Sequence, residues 1–315
     1  MKVPVSSILF LFVISLDLSF SDSSEEDISR SSSEEDDTFL RNENSDFDLF
    51  IFTQRWPNTV CYMWREKSDL NQCLLPPVRN QWTVHGIWPT KLNTIGPSFC
   101  NKTVKFDVKE LNQIENLLNE YWTNIEKNTM HDSLWRHEWL KHGTCAMKIN
   151  ELSDENKYFG QGLKWLDRYS MTNVLKDGNV LPGNNYTALE IHNVLLAYFS
   201  KNVAIECYHD SRTKLQFLFE IRICFNKQFE LTDCDGILLL EKVSVNYSNG
   251  TVITNCNLKK PVFYPQNIPM SKFDLFYERH FTAINNLNEK PKEISSSLNL
   301  INFYKLIQLV KWITL

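Results

Sequence analysis

The chain has 315 residues and a formal net charge of −5, from 33 Lys plus Arg against 38 Asp plus Glu, and 43% of its residues are hydrophobic. That apolar content, with no visible repeat period, excludes collagen, coiled coil and whole-chain disorder. The acidic total taken alone argues against a polyanion-binding protein, but the charge is unevenly placed. Residues 22–46 hold ten acids against Arg30 and Arg41, a balance of −8, and Lys2 cancels Asp17 within residues 1–21, which leaves residues 47–315 at +3. The part able to fold is therefore mildly basic.

In chain order, residues 1–21 read as a secretory signal peptide. An apolar stretch from Ile8 to Leu16 follows Lys2, and Ser19-Phe20-Ser21 suits cleavage before Asp22. The run is too short for a membrane anchor and Asp17 interrupts it. Residues 22–46 are rich in Ser, Asp and Glu with little to bury, and are expected to form a disordered acidic leader. Asp48 to Gln54 and Trp82 to His85 read as strands, the second closed by Gly86 and Pro89. Helical spacing is expected over Val108 to Tyr121, Ser133 to His142 and Ala188 to Tyr198. Strand character returns in Leu215 to Phe225, Gly236 to Val245 and Thr251 to Ile253. Strands and helices without regular alternation imply a single α+β domain over residues 47–265, with helices flanking a central sheet. Residues 266–315 form a C-terminal extension. Its tail, Leu300 to Leu315, carries Asn302, Lys305, Gln308 and Lys311 in an otherwise apolar run. That pattern suits a terminal helix packed on the domain, with contact at a membrane surface as the second reading.

All eight cysteines, Cys61, Cys73, Cys100, Cys145, Cys207, Cys224, Cys234 and Cys256, lie in the foldable part. An even count behind a signal peptide implies a disulfide framework, and no Cys-x-x-Cys pair favours zinc instead. Sequons at Asn101, Asn185, Asn246 and Asn249 point to a glycoprotein.

Chemistry concentrates in two segments. Trp82-Thr-Val-His85-Gly-Ile-Trp88-Pro89 would present His85 at the end of a strand. His137-Glu138-Trp139-Leu140-Lys141-His142-Gly143-Thr144-Cys145 reads as a helix. At about 100° per residue, with Glu138 at zero, His137 falls at about −100°, Lys141 at about −60° and His142 at about +40°. Such a face has three uses. A zinc site needs histidines four apart, whereas these are five apart, with Lys141 where a ligand would stand, so no metal is expected. A solvated charge face is the second use, but it leaves Trp135, Trp139 and Cys145 unexplained. The third is general acid and base catalysis on an anion, with imidazoles moving protons and Lys141 holding negative charge.

His85-Gly-Ile-Trp88-Pro89 together with His137-Glu138-Trp139-Leu140-Lys141-His142-Gly143 resembles the two active-site segments of the ribonuclease T2 family. His-Gly-x-Trp-Pro arises by chance on the order of once in a million positions. Glu220-Ile-Arg-Ile-Cys224-Phe followed by Cys234 is similar to the family's C-terminal strand and disulfide, and the likeness covers about residues 47–260.

The resemblance implies a metal-independent endoribonuclease without cofactor, acting on single-stranded RNA and not on DNA. By the same analogy His142 is the base, His85 the acid, Glu138 and Lys141 stabilise the phosphorane, His137 contacts the phosphate and Trp88 stacks on a base or packs in the core. It also implies the pairings Cys61–Cys73, Cys100–Cys145, Cys207–Cys256 and Cys224–Cys234. Thr90 departs from relatives that carry an acid after Trp-Pro, which leaves base preference open. The expected protein is a secreted or lysosomal monomer. The alternative is a secreted glycoprotein of the same fold that acts mainly by binding a cell surface or receptor.

Overall fold

The computed structural model describes residues 46–239, 252–276 and 278. The signal peptide, nearly all of the acidic leader, the sequons at Asn246 and Asn249 and the amphipathic tail lie outside the described residues. No described helix is long and apolar enough to cross a membrane.

Among the described residues the strands form one eight-stranded sheet with the central order β2-β1-β5-β4-β7. β1 (Leu49–Arg55) is buried along its whole length because it lies between β2 (Thr83–Thr90) and β5 (Gln216–Phe225), both antiparallel to it. β4 (Ala204–His209) continues the antiparallel pairing on the far side of β5. The short strands β3 (Asn185–Tyr186), β6 (Leu231–Thr232), β7 (Ile253–Thr254) and β8 (Val262–Phe263) extend the margins, with parallel pairing only in β4–β7 and β5–β8. The mainly antiparallel α+β architecture expected from the sequence is the one observed.

Alternation along the strands splits the sheet into two faces. Phe50, Phe52, Val84, Ile87, Ile221, Ile223 and Phe225 join the main core, which includes Trp122, Trp135, Trp139, Tyr158 and Phe159. The opposite face carries a smaller cluster of Leu49, Ile51, Ala204 and Cys224, with Trp88 packed against it. That same face also carries charge, in Arg55, Glu206, Glu220 and Arg222, all buried.

The helices depart from the expected pattern in instructive ways. Val108 to Tyr121 is two pieces, a 3-10 turn over Val108–Leu111, where Asp107 accepts a bond from the Lys109 amide, and then α2 (Glu115–Tyr121). Ser133 to His142 begins as α3 (Ser133–Glu138) but passes into a π turn over Trp139–Gly143 before the short α4 (Thr144–Ala146). Ala188 to Tyr198 is α7 (Ala188–Phe199), set by a reciprocal Thr187–Glu190 capping box. Three helices were not apparent in the sequence pattern: α1 (Pro57–Lys67), which starts on a proline, α5 (Glu155–Arg168), capped by Asp154, and α6 (Met171–Asp177). The strand expected over Gly236 to Val245 is irregular from Gly236 to Leu239, because Gly236 adopts a left-handed turn at φ +86. Its remainder lies outside the described residues. All four disulfide pairings implied by the resemblance are present.

Candidate active site

His85 owes its placement to an irregularity in the sheet. Along the β1–β2 ladder Thr53 faces Gly86 and Gln54 faces Val84, so His85 is an extra residue with no partner on β1. A bulge of this kind turns one side chain out of the regular alternation, a device common beside active sites. The bulged segment is pinned from the core side. Trp122 Nε1 donates to the His85 carbonyl at 2.7 Å, and the Tyr158 hydroxyl donates to the Ile87 carbonyl at 2.8 Å. Buried aromatics at the end of α2 and on α5 thus hold the backbone on which the half-buried histidine is mounted.

The second segment depends on the π turn. Hydrogen bonds in a π turn span five residues, seen here in the Thr144 amide bonding back to the Trp139 carbonyl. Residues five apart therefore align, and His142 comes round to the side of His137, their ring centroids 6.4 Å apart. The regular-helix angles used above do not hold past Trp139. Close packing accompanies the turn: a Cβ on Gly143 would meet the Trp139 ring at 2.2 Å, so this position admits no side chain without displacing that buried indole. Cys145, just beyond, bonds to Cys100, and the Phe99 amide donates to the Lys141 carbonyl at 2.8 Å, tying the 99–100 loop to the turn.

The two segments meet around Trp88. Its indole Nε1 donates to Glu138 Oε2 at 2.8 Å. Its ring lies 5.2 Å from the His85 ring and 5.3 Å from the His142 ring, with the Arg222 guanidinium 4.9 Å above it. Trp88 is thus neither open to solvent nor plain core, but packed among the ionisable groups. Gly86 makes the junction possible, since a Cβ there would fall 2.1 Å from Glu138 Oε2 and 2.3 Å from Trp88 Nε1.

Electrostatics differ sharply between the histidines. His142 is held well below the ordinary imidazole value, first by burial and then by Lys141, His137, His85 and Arg222, so it rests neutral. Its Nδ1 makes no protein hydrogen bond. Burial pushes the Glu138 carboxyl upward, against the opposing pull of His85, the Trp88 bond, Arg55 and Lys141. His85 instead lies between two carboxylates: Nε2 is 3.7 Å from Glu138 Oε1 and Nδ1 is 2.6 Å from Glu220 Oε1, while its side chain remains 25% exposed. Such a bracket can hold the charge of an imidazolium. His137 is exposed at the rim of this group.

Glu220 and the charges behind it were missed as site residues by sequence reasoning. Glu220, Arg222 and Cys224 alternate with isoleucines along β5, and that period of two, polar on one face of a buried strand, was the available signal. Thr90, the departure noted above, is buried, and its hydroxyl donates to the Trp88 carbonyl at 3.0 Å. Of the other histidines, His131 pairs with Glu115, His192 is buried in α7, and His209 bonds the Asn255 carbonyl. His280 lies outside the described residues.

The π turn brings together the donors that a regular helix would hold apart. Ligand atoms of His137, Glu138 and His142 lie within 4.8 Å of one another, close enough to hold an ion. Glu138 is already bonded by Trp88, and the Lys141 charge, on the same turn, opposes a cation. The donor set is therefore a poorer fit to a resident metal than to proton transfer.

Comparison with known proteins agrees with this geometry. A sequence model of the ribonuclease T2 family matches residues 47–234. Ribonuclease Oy of Magallana gigas is 34% identical over 224 residues, spanning 70% of this chain and 97% of that protein. Human ribonuclease T2 is 30% identical over 233 residues, spanning 71% and 86%. The crystal structure of human RNase T2 superposes with a TM-score of 0.54 at 26% identity, over 70% of this chain and 99% of the other. A variant of ribonuclease MC1, the bitter gourd seed enzyme, in complex with 5'-UMP gives 0.55 at 26% identity, over 70% and 99%. With the family match, the disulfide framework and the paired histidine segments in agreement, the chain belongs to the ribonuclease T2 family and is an endoribonuclease of the T2 type.

Proposed function

We propose that the chain cleaves single-stranded RNA by transesterification, with His142 as base and His85 as acid and no metal in the reaction. His142 takes the proton of the ribose 2'-hydroxyl, the resulting oxyanion attacks the adjacent phosphorus, and His85 protonates the departing 5' oxygen. One fragment then ends in a 2',3'-cyclic phosphate and the other in a 5'-hydroxyl. DNA is spared because it lacks the 2' nucleophile. Lys141 offsets charge on the pentacoordinate phosphorus, Glu138 orients the group through its bond to Trp88, and His137 at the rim contacts phosphate.

The observation that carries this reading is the contrast between two imidazoles on either side of Trp88. One is kept neutral by burial and cations and so can accept a proton, while the other sits between carboxylates that can support its charge. The test is cleavage of single-stranded RNA in EDTA by the parent and by its His85→Phe and His142→Phe variants. Activity in the parent that is lost in both variants supports the reading. An inert parent sinks it, and a parent active only without chelator revives the metal-binding use of His137, Glu138 and His142.

We further infer that the chain is exported or delivered to lysosomes as a monomeric glycoprotein, with residues 1–21 removed and the catalytic domain spanning about 47–265. Four disulfides suit an oxidising compartment. Asn101 accepts from the Thr103 hydroxyl at 2.7 Å and Asn185 is exposed, so both described sequons present their acceptors at the surface.

A further inference from the structure

The reaction as derived leaves one set of buried charges unused. Glu206 on β4 and Glu220 on β5 stand directly opposite each other in register, both buried, an arrangement of like charges that destabilises a sheet unless something intervenes. Arg222 intervenes: its Nη2 lies 2.9 Å from Glu206 Oε2 and 3.2 Å from Glu220 Oε2. On the other side of β5, Arg55 of β1 is the register partner of Glu220. The free end of this row is Glu220 Oε1, 2.6 Å from His85 Nδ1. A line of contacts therefore runs Glu206, Arg222, Glu220, His85 across three strands, and Arg222 returns to the site by lying over Trp88.

We propose that Glu220, steadied by Arg222 and Glu206, is a positioning residue for His85: it fixes Nδ1 as the hydrogen-bonded nitrogen and so turns Nε2 toward the scissile phosphate. This rests on the assignment of His85 as the acid. Burial alone would push the Glu220 carboxyl up, but His85 and Arg222 outweigh it and bring it to about 2, so Glu220 is ionised and can only accept. His85 must then donate from Nδ1. The proton delivered to the leaving oxygen comes from Nε2, and after transfer the ring is left as the Nδ1–H tautomer with its Nε2 lone pair ready to take a proton back. A carboxylate that fixes an imidazole's tautomer in this way acts through orientation and charge, without being protonated itself. Phe219 is an extra residue in the β4–β5 ladder, since Glu206 faces Glu220 and Cys207 faces Leu218. The pairing before that bulge is regular, so the period of two puts Glu206, Glu220 and Arg222 on one face, and the bulge in β2 turns His85 toward them.

The experiment uses the full chain with its disulfides, labelled with nitrogen-15 at histidine. In the parent, the neutral His85 ring is expected as the Nδ1–H tautomer, whereas free histidine in water favours Nε2–H. An Nε2–H signal in the parent overturns the proposal without any variant having to fold. In Glu220→Gln the neutral ring is expected to shift toward Nε2–H. kcat falls on the order of 10–100-fold with KM little changed, the range met when carboxylates that orient metal-bound histidines are removed. Unchanged kcat and tautomer in folded Glu220→Gln overturn the proposal while an inactive His85→Phe keeps the acid assignment. An active His85→Phe overturns that assignment itself.

Discussion

Gly86→Ala is the substitution whose effect follows most directly from the geometry. Gly86 does not occupy the left-handed region, so an alanine there adopts the backbone without strain and the consequence is purely steric. Its new methyl would lie 2.1 Å from Glu138 Oε2 and 2.3 Å from Trp88 Nε1, which are the two ends of a 2.8 Å hydrogen bond. Neither side chain can simply swing away, since Glu138 is 1% exposed and Trp88 is packed against His85, His142 and Arg222. The bond must open. A hydrogen bond to a charged group contributes about 1.5–3 kcal/mol. If that loss falls on the transition state, kcat/KM drops by about 10–150-fold at 1.4 kcal/mol per factor of ten. Steady-state cleavage of a dinucleotide and a thermal melt measure the two quantities. Trp88→Phe, which removes the donor without adding a methyl, should give a similar loss, and the double variant should lose less than the sum because both act on one bond. Full activity in folded Gly86→Ala, or strict additivity with Trp88→Phe, would refute the reasoning.

Other outcomes follow from the same structure. Cys145→Ala opens the Cys100–Cys145 bridge, which spans 45 residues, and the chain-entropy treatment puts the loss at about 4 kcal/mol, read from denaturant unfolding. Because the bridge flanks the π turn, kcat should fall as well, and undiminished turnover would count against the turn as the device that aligns His142. Lys141→Gln removes a cation that holds the His142 imidazole down, so the acid limb of kcat/KM should move to higher pH, and an unmoved limb would argue against His142 as the base. Stability carries a second signature of the same group. His142 binds its proton less readily folded than unfolded, so its share of stability declines as pH falls below about 6.5, where the unfolded chain takes up protons first. Glu220 works in the same sense at lower pH, adding stability above its unfolded value of 4.5 that is lost as pH falls toward about 2. The unfolding free energy of His142→Phe should therefore gain on the parent as pH drops from 6.5 toward 4.5, and parallel curves would contradict this.

Much of the site was legible because its residues cluster in two short segments whose composition is improbable without a chemical reason. His85, Trp88, Glu138 and His142 could be named from those segments, and the structure brings the other three around the Trp88 indole. What sequence could not supply was local geometry. A regular helix was assumed through His142, yet packing of Trp135 and Trp139 into the core and the contact of Gly143 with the Trp139 ring go with a π turn that realigns the histidines. The bulge at His85 was equally hidden, since nothing in Thr-Val-His-Gly marks an extra residue. Glu220 and Arg222 were visible as a polar alternation in β5, but His85, the partner of Glu220, is 135 residues away in sequence and is brought close only by the pairing of β1 with both β2 and β5. The helix α1 is polar on average and no side chain caps its start, whereas α7 is strongly apolar and opens on a capping box.

The central claim is that two imidazoles, and no metal, move the protons of an internal transesterification. The most direct measurement is phosphorus NMR of a ribodinucleotide incubated with the full chain in EDTA, beside its analogue lacking the 2'-hydroxyl. The signal of a 2',3'-cyclic phosphate is expected to appear from the first, while the analogue remains intact. Cleavage of the analogue, or a linear phosphate formed without a cyclic intermediate, would contradict it.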